Sequence, residues 1–210
     1  MDEIIKAFPR LTDRQREQFA ALGPLYTDWN SKINVISRKD IDNLYIHHIL
    51  HSLAIGKFMT PCEGTAILDL GTGGGFPGIP LAILMPQCRF HLIDRIGKKI
   101  KVASAVAEAV GLTNVTFQHG DIGECRDRFD YVVSRAVMPL ADIIPLITKN
   151  ISRHPLANNP FPPGLLVLKG GDLADETAAA GRREVIDVPL IDYFPAIEFF
   201  DTKHLLYLPL

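Results

Sequence analysis

The chain has little cysteine and no long apolar stretch. Cys62, Cys88 and Cys125 are its only cysteines in 210 residues. Their odd number and wide spacing exclude a disulfide framework and a paired-cysteine zinc site, and they fit a reducing, cytoplasmic setting. No run approaches the ~20 apolar residues that a membrane helix needs. The opening MDEIIKAFPR puts acid beside Met1 and has no apolar core, so no secretory signal is expected. No repeat or low-complexity tract occurs. Neither charge sign dominates: 22 Lys and Arg face 24 Asp and Glu, a net charge of −2. That balance leaves nucleic acid open as a partner, because binding depends on a local basic patch rather than on the total. With 47% hydrophobic and 22% charged residues, the chain can build a packed core.

The length suits one domain with a small extension. Residues 1–60 read as a helical extension and residues 61–210 as the main domain. Thr12 with Gln15 is a capping box opening a helix, in which Phe19, Leu22, Leu25, Tyr26 and Trp29 keep helical spacing. Gly23-Pro24 predicts a kink or a break near its middle. Asp40 is placed to cap a second helix over residues 41–58. From Thr65 the pattern changes. Strands are expected at 65–70, 89–94, 114–121, 129–136 and 164–170, with helices at 98–111 and 139–150. A proline-rich loop covers 154–164. Two further antiparallel strands are expected in the tail. Strands alternating with helices predict an α/β fold with a mostly parallel sheet.

The segment ILDLGTGGGFPGIP, residues 67–80, stands out. It has five glycines in the eight residues from Gly71 to Gly78. Glycine directly after a strand lets a ligand approach backbone amides closely. Gly73-x-Gly75-x-x-Gly78 satisfies a dinucleotide pattern, so that pattern alone leaves NAD open. Asp94, ending the next strand, can hold a ribose in either case. Asp69 before the glycines and Asp121 after the third strand favour S-adenosylmethionine. That molecule has a cationic sulfonium and no pyrophosphate, so carboxylates near its tail and ribose are welcome rather than repelled.

Beyond the glycines, YTDWNSKINVISRKD, IHHILHSLAI, LIDRIGKKIKV, FDYVVSRAV and LLVLKGG follow in an order that resembles the RsmG (GidB) family over nearly the whole chain. These are class I methyltransferases acting on N7 of a guanine in bacterial small-subunit (16S) ribosomal RNA. The resemblance implies a Rossmann-like, mostly parallel sheet with a C-terminal antiparallel strand, and S-adenosylmethionine as cofactor. It implies 16S ribosomal RNA or the small subunit as partner, no membrane, and a monomer in the cytoplasm. It places Gly71, Gly73 and Phe76 in the cofactor loop, Asp94 at the ribose, Asp121, Ile122 and Gly123 at the adenine edge, and Arg135 beside the cofactor as the residue orienting substrate. The family's usual G-R-A-E reads Gly120-Asp121-Ile122-Gly123 here, so Asp121 is expected to substitute for the glutamate. His51 stands where Asp is common. The alternative is a class I methyltransferase acting on another RNA or a small molecule.

Guanine N7 has a lone pair and no proton to remove, so no general base is required. No cysteine follows the fourth strand, which excludes the nucleophile of cytosine C5 methylation. SRAVMP in place of Asp/Asn-Pro-Pro-aromatic argues against an exocyclic amine target. His47 and His51 have the i, i+4 spacing of zinc ligands, but no third ligand is evident and no metal is expected. Lys32, Arg38, Lys39, Lys98, Lys99 and Lys101 are candidate phosphate contacts. Trp29 reads as helix packing, and Asn34 as a turn former or an RNA contact. Lys169 is expected near the cleft mouth or beside a turn.

Overall fold

The computed structural model describes residues 1–135, 138–154, 156–179 and 184–210. Ala136 and Val137 of SRAVMP, Pro155 of the proline-rich loop and Arg183 before the tail strands lie outside the described residues.

Helix α1 (Asp2–Ala7) precedes α2 (Asp13–Lys32). The Thr12 hydroxyl accepts from the Gln15 amide, and the Gln15 side chain accepts from the Thr12 amide at 3.0 Å. The Gln15 Nε2 also donates to the Ile83 and Leu84 carbonyls, which ties the start of this helix to the rest of the molecule. Helix α2 runs unbroken through Pro24, against the expectation of a break. Proline has no N–H for the Ala20 carbonyl. The Tyr45 hydroxyl supplies a donor instead, 3.0 Å from the Ala20 carbonyl and 3.2 Å from that of Phe19.

The second helical stretch is not one α-helix capped by Asp40. It is a 3₁₀ turn (Ile41–Asn43), a π-helix (Leu44–Leu50) and α3 (His51–Phe58). The Asp40 side chain caps nothing. It turns to His47 and His48, and this makes it part of the site described below.

The sheet contains β1 (Ala66–Leu70), β2 (Arg89–Asp94), β3 (Val115–His119), β4 (Tyr131–Arg135), β5 (Gly164–Gly170), β6 (Ile186–Pro189) and β7 (Lys203–Pro209). Its order is β3-β2-β1-β4-β5-β7-β6. The first five strands pair in parallel, and β7 runs antiparallel to both β5 and β6. Helices α4 (Gly78–Leu84), α5 (Gly97–Ala109), α6 (Leu140–Ile147) and α7 (Ala174–Ala179) complete the layers. Gly111, with φ +67°, follows the end of α5.

Strand side chains alternate between two apolar clusters, one on each face. Ile67, Tyr131, Val133, Leu166 and Leu168 join one cluster, while Leu68, Val132, Leu165 and Val167 join the other. Ile4, Phe19, Leu22 and Tyr26 of the N-terminal helices share the first cluster. Asp69 stands two residues after Ile67, so the pleat sends its carboxylate to that same face.

Candidate active site

The chain runs outward through β1, β2 and β3, then returns to place β4 on the other side of β1. In such sheets the crevice at that reversal, beyond the carboxyl ends of the strands, takes ligands. Here it is a cleft of about 460 Å³ whose walls include Gly71, Thr72, Gly73, Phe76, Asp94, Ile122 and Arg135.

The loop's glycines divide by role. Gly73 has φ +58°, and a Cβ built there would meet nothing within 4 Å. Its backbone faces the open cleft. Gly74 and Gly78 are packing glycines. A Cβ on Gly74 would come 2.9 Å from the Val35 Cβ, and one on Gly78 would come 2.7 Å from an Asp69 oxygen. Asp69 is fully buried and does not line the cleft. Its Oδ2 accepts from the Thr72 hydroxyl at 2.5 Å and the Gly78 amide at 2.7 Å, so it braces the loop from behind. Among the described residues its Oδ1 has no partner. Burial raises this carboxyl to about 7, against the pull of Thr72, Gly78 and the Arg135 charge. The Tyr26 hydroxyl donates to the Gly74 carbonyl at 2.8 Å and attaches α2 to the same loop.

Asp94 ends β2 at the cleft wall. Its two oxygens accept from the Gly73 amide at 2.9 Å and the Ile96 amide at 2.8 Å. Each oxygen keeps a second lone pair for a ligand hydroxyl. Gly120 and Ile122 line the cleft, whereas Asp121 and Gly123 do not. Asp121 accepts from the Gly123 amide at 2.6 Å and pairs with Arg95. The Gly123 amide and then Arg95 hold its carboxyl below the usual carboxylate range. This turn presents Ile122, which is buried.

Arg135 ends β4 on the opposite wall. Its guanidinium lies 5.0 Å from the Phe76 ring centroid. Nη1 donates to the His47 carbonyl at 3.3 Å, and Nη2 lies 3.0 Å from His48 Nδ1. Burial lowers its pKa to about 10, so it remains a cation at neutral pH. Asp40 stands behind the histidines, with Oδ2 2.7 Å from His48 Nε2 and Oδ1 2.5 Å from His47 Nδ1. Burial first, and Arg135 second, bring His48 down to about 4, so its imidazole is neutral at pH 7.

The remaining candidates fall in different places. His47 and His51 do not converge: His47 is bonded to Asp40, and buried His51 Nε2 has no partner among the described residues. Among the described residues no group of three potential ligands could hold a metal ion. Lys32 pairs with Asp28, while Arg38, Lys39, Lys98 and Lys101 are exposed. Lys99 lines the cleft. Asn30, not Asn34, builds the turn after α2, with its Oδ1 accepting from the Val35 and Ile36 amides at 2.9 Å. Lys169 donates to the Met138 carbonyl at 2.6 Å and pairs with Glu176, which accepts from the Leu140 amide. It therefore fastens the cleft wall at Met138. Asp40, His48, Tyr26 and Val35 were missed from sequence. A second acid–histidine partner for the SRA arginine leaves no spacing signal, since 87 positions separate Arg135 from His48.

A mostly parallel seven-stranded sheet with one reversed strand, and a glycine-lined cleft at its switch point, is the fold of class I S-adenosylmethionine-dependent methyltransferases. A methyltransferase from Geobacter sulfurreducens, solved with S-adenosyl-L-homocysteine, superposes with a TM-score of 0.56 at 15% identity, over 88% of this chain and 96% of that one. One from Thiobacillus denitrificans gives 0.54 at 15% identity, over 82% and 97%. The GidB family, described as rRNA small subunit methyltransferase G, matches residues 15–188. Ribosomal RNA small subunit methyltransferase G of Parabacteroides distasonis is 59% identical over 97% of this chain and 86% of its own length. The enzyme of that name from Bacteroides thetaiotaomicron is 58% identical over 99% and 98%. The chain belongs to this methyltransferase family.

Proposed function

We propose that this protein transfers the methyl group of S-adenosylmethionine to N7 of a guanine in small-subunit (16S) ribosomal RNA. The observation that carries the reading is Arg135, a fixed cation at the end of β4, facing the glycine loop across one cleft. The cleft fits the cofactor. Gly73 leaves open space where a Cβ would project, Asp94 has free lone pairs for ribose hydroxyls, and Ile122 offers an apolar wall for adenine. Gly71 and Phe76 belong to the same wall, and Asp121 with Gly123 closes the turn that presents Ile122. The cofactor supplies an electrophilic methyl group on a sulfonium.

The protein's own residues have to bind, orient and exclude water. Guanine N7 is already nucleophilic, so no residue has to take a proton. Arg135 can donate to O6 of guanine, which leaves the N7 lone pair free to attack the methyl group, or to a phosphate. Either contact fixes the acceptor against the cofactor loop, and orientation of this kind lowers the barrier directly. Lys99 at the cleft, with exposed Arg38, Lys39, Lys98 and Lys101, can meet phosphates. The protein would act in the cytoplasm, where free Cys62, Cys88 and Cys125 stay reduced. It would act as a monomer: only Ile96 and Leu156 are exposed large hydrophobics among the described residues.

The test is single-turnover methyl transfer to small-subunit particles by wild type and Arg135→Ala, with S-adenosylhomocysteine affinity measured beside it. Loss of a charged hydrogen bond made in the transition state costs roughly 1.5–3 kcal/mol, or about one to two decades in rate. Transfer should fall by that much, with affinity changing far less. Collapse of affinity, with transfer unchanged at saturating cofactor, would assign Arg135 to the cofactor instead.

A further inference from the structure

We propose that His48, held by Asp40, is a positioning residue that aims the Arg135 guanidinium into the cleft. The inference rests on the reading of Arg135 given above.

The hydrogen bonds admit one arrangement of protons. Arg135 has only donors, so His48 Nδ1, 3.0 Å from Nη2, must be the acceptor. The proton of the neutral ring is then on Nε2, which faces Asp40 Oδ2 at 2.7 Å. Asp40, a carboxylate, accepts there and fixes the tautomer, in the way a buried acid orients a catalytic imidazole. The carbonyls of His47 and His48 take Nη1 at 3.3 Å and 3.5 Å. The Phe76 ring borders the guanidinium at 5.0 Å and the His48 ring at 5.4 Å. The guanidinium is therefore gripped by one side chain, two carbonyls and one ring face, and among the described residues no carboxylate bonds it. A carboxylate partner would neutralise it; a neutral imidazole holds it and leaves its charge for a substrate.

Local backbone makes this grip possible. His47 and His48 lie in the π-helix, and the His48 carbonyl also accepts from the Ser52 hydroxyl at 2.6 Å. Consecutive histidines then both reach Asp40 while their carbonyls reach Arg135.

The test compares His48→Phe, His48→Gln, Arg135→Ala and the double variant His48→Phe/Arg135→Ala. Phenylalanine keeps the ring beside Phe76 and removes the acceptor. Glutamine restores both an acceptor for Arg135 and a donor for Asp40. The readouts are single-turnover transfer to small-subunit particles at saturating S-adenosylmethionine and S-adenosylhomocysteine affinity. His48→Phe should lose ~10-fold in rate, the scale of one charge-assisted hydrogen bond. Its cofactor affinity should stay within about threefold, as the loop is untouched. His48→Gln should recover most of the rate, and the double variant should be no slower than Arg135→Ala. If His48→Phe melts without cooperativity, His48→Leu takes its place in every comparison. A full His48 effect surviving in the Arg135→Ala background overturns the proposal, as does failure of glutamine to rescue. So does an unimpaired His48→Phe beside an impaired Arg135→Ala. Wild-type transfer by Arg135→Ala would instead remove the reading of Arg135 itself.

Discussion

Two aspartates near the glycine loop do opposite jobs because their surroundings differ. Asp94 lies at the cleft with spare lone pairs, while Asp121 is turned onto its own loop and Arg95. Asp94→Asn should therefore weaken S-adenosylhomocysteine binding more than Asp121→Asn, because charge-assisted bonds are about twice as strong as neutral ones. Calorimetric titration of both variants checks the order. Asp69 makes a different prediction. Its folded pKa is raised to about 7 by burial, against ~3.9 in an unfolded chain. The folded state then holds the proton more tightly, so this group's stability is fully present below pH ~4 and is lost as pH rises through 7. The wild type's stability relative to Asp69→Asn should shrink by roughly 2–3 kcal/mol between pH 5 and pH 8, the rest of the ~4 kcal/mol having been lost below pH 5. Urea denaturation at both pH values measures it, and a constant difference would mean that Asp69 titrates alike in both states. The sequence marked Asp69 as a site residue from its position before the glycines. The pleat decided otherwise, by sending it beneath Gly78.

At the scale of elements, the helices of the first 60 residues depart most from local expectation. Pro24 should interrupt α2, and it does not, because a tyrosine 21 residues later faces the carbonyl that proline leaves free. Tyr45→Phe removes that hydroxyl and nothing else. It should lower stability by about 0.5–1.5 kcal/mol, the net worth of one hydrogen bond, because water reaches the exposed Ala20 carbonyl, with cofactor affinity preserved. Denaturant melts and a binding titration separate the two. Capping at Thr12 and the parallel strands were legible, since both depend on near neighbours and on alternation. The π-helix was not. Its residues carry ordinary helical apolar spacing, and the partner its histidines meet across the cleft, Arg135, lies 87 positions away in sequence.

At the scale of the molecule, the N-terminal helices and the sheet share one apolar cluster. Ile4, Phe19, Leu22 and Tyr26 are fully buried, and burying four such side chains contributes ~6–12 kcal/mol. Whole domains are stable by only ~5–15 kcal/mol. Deletion of residues 1–32 should therefore abolish cooperative folding, rather than yield a folded domain that merely binds RNA poorly. Circular dichroism melts of the shortened chain decide this. A cooperative transition would show that residues 33–210 suffice for a stable sheet.

Sequence alone determined the strand pattern, the glycine loop after β1, the acid ending β2 and the arginine ending β4. Each of these is written in residues close together along the chain, where pleat alternation and turn chemistry act. Tertiary structure alone decided which glycines serve a ligand and which serve packing, because that depends on Val35 and Leu92 arriving at the loop from elsewhere and on Asp69 folding beneath Gly78. It also decided that Asp40 and His48 belong to the site. The contact of His48 with Arg135 spans 87 positions and is created when a helix of the N-terminal stretch packs over the carboxyl end of β4, while Asp40 joins through the histidines. Nothing in the spacing of either segment encodes it.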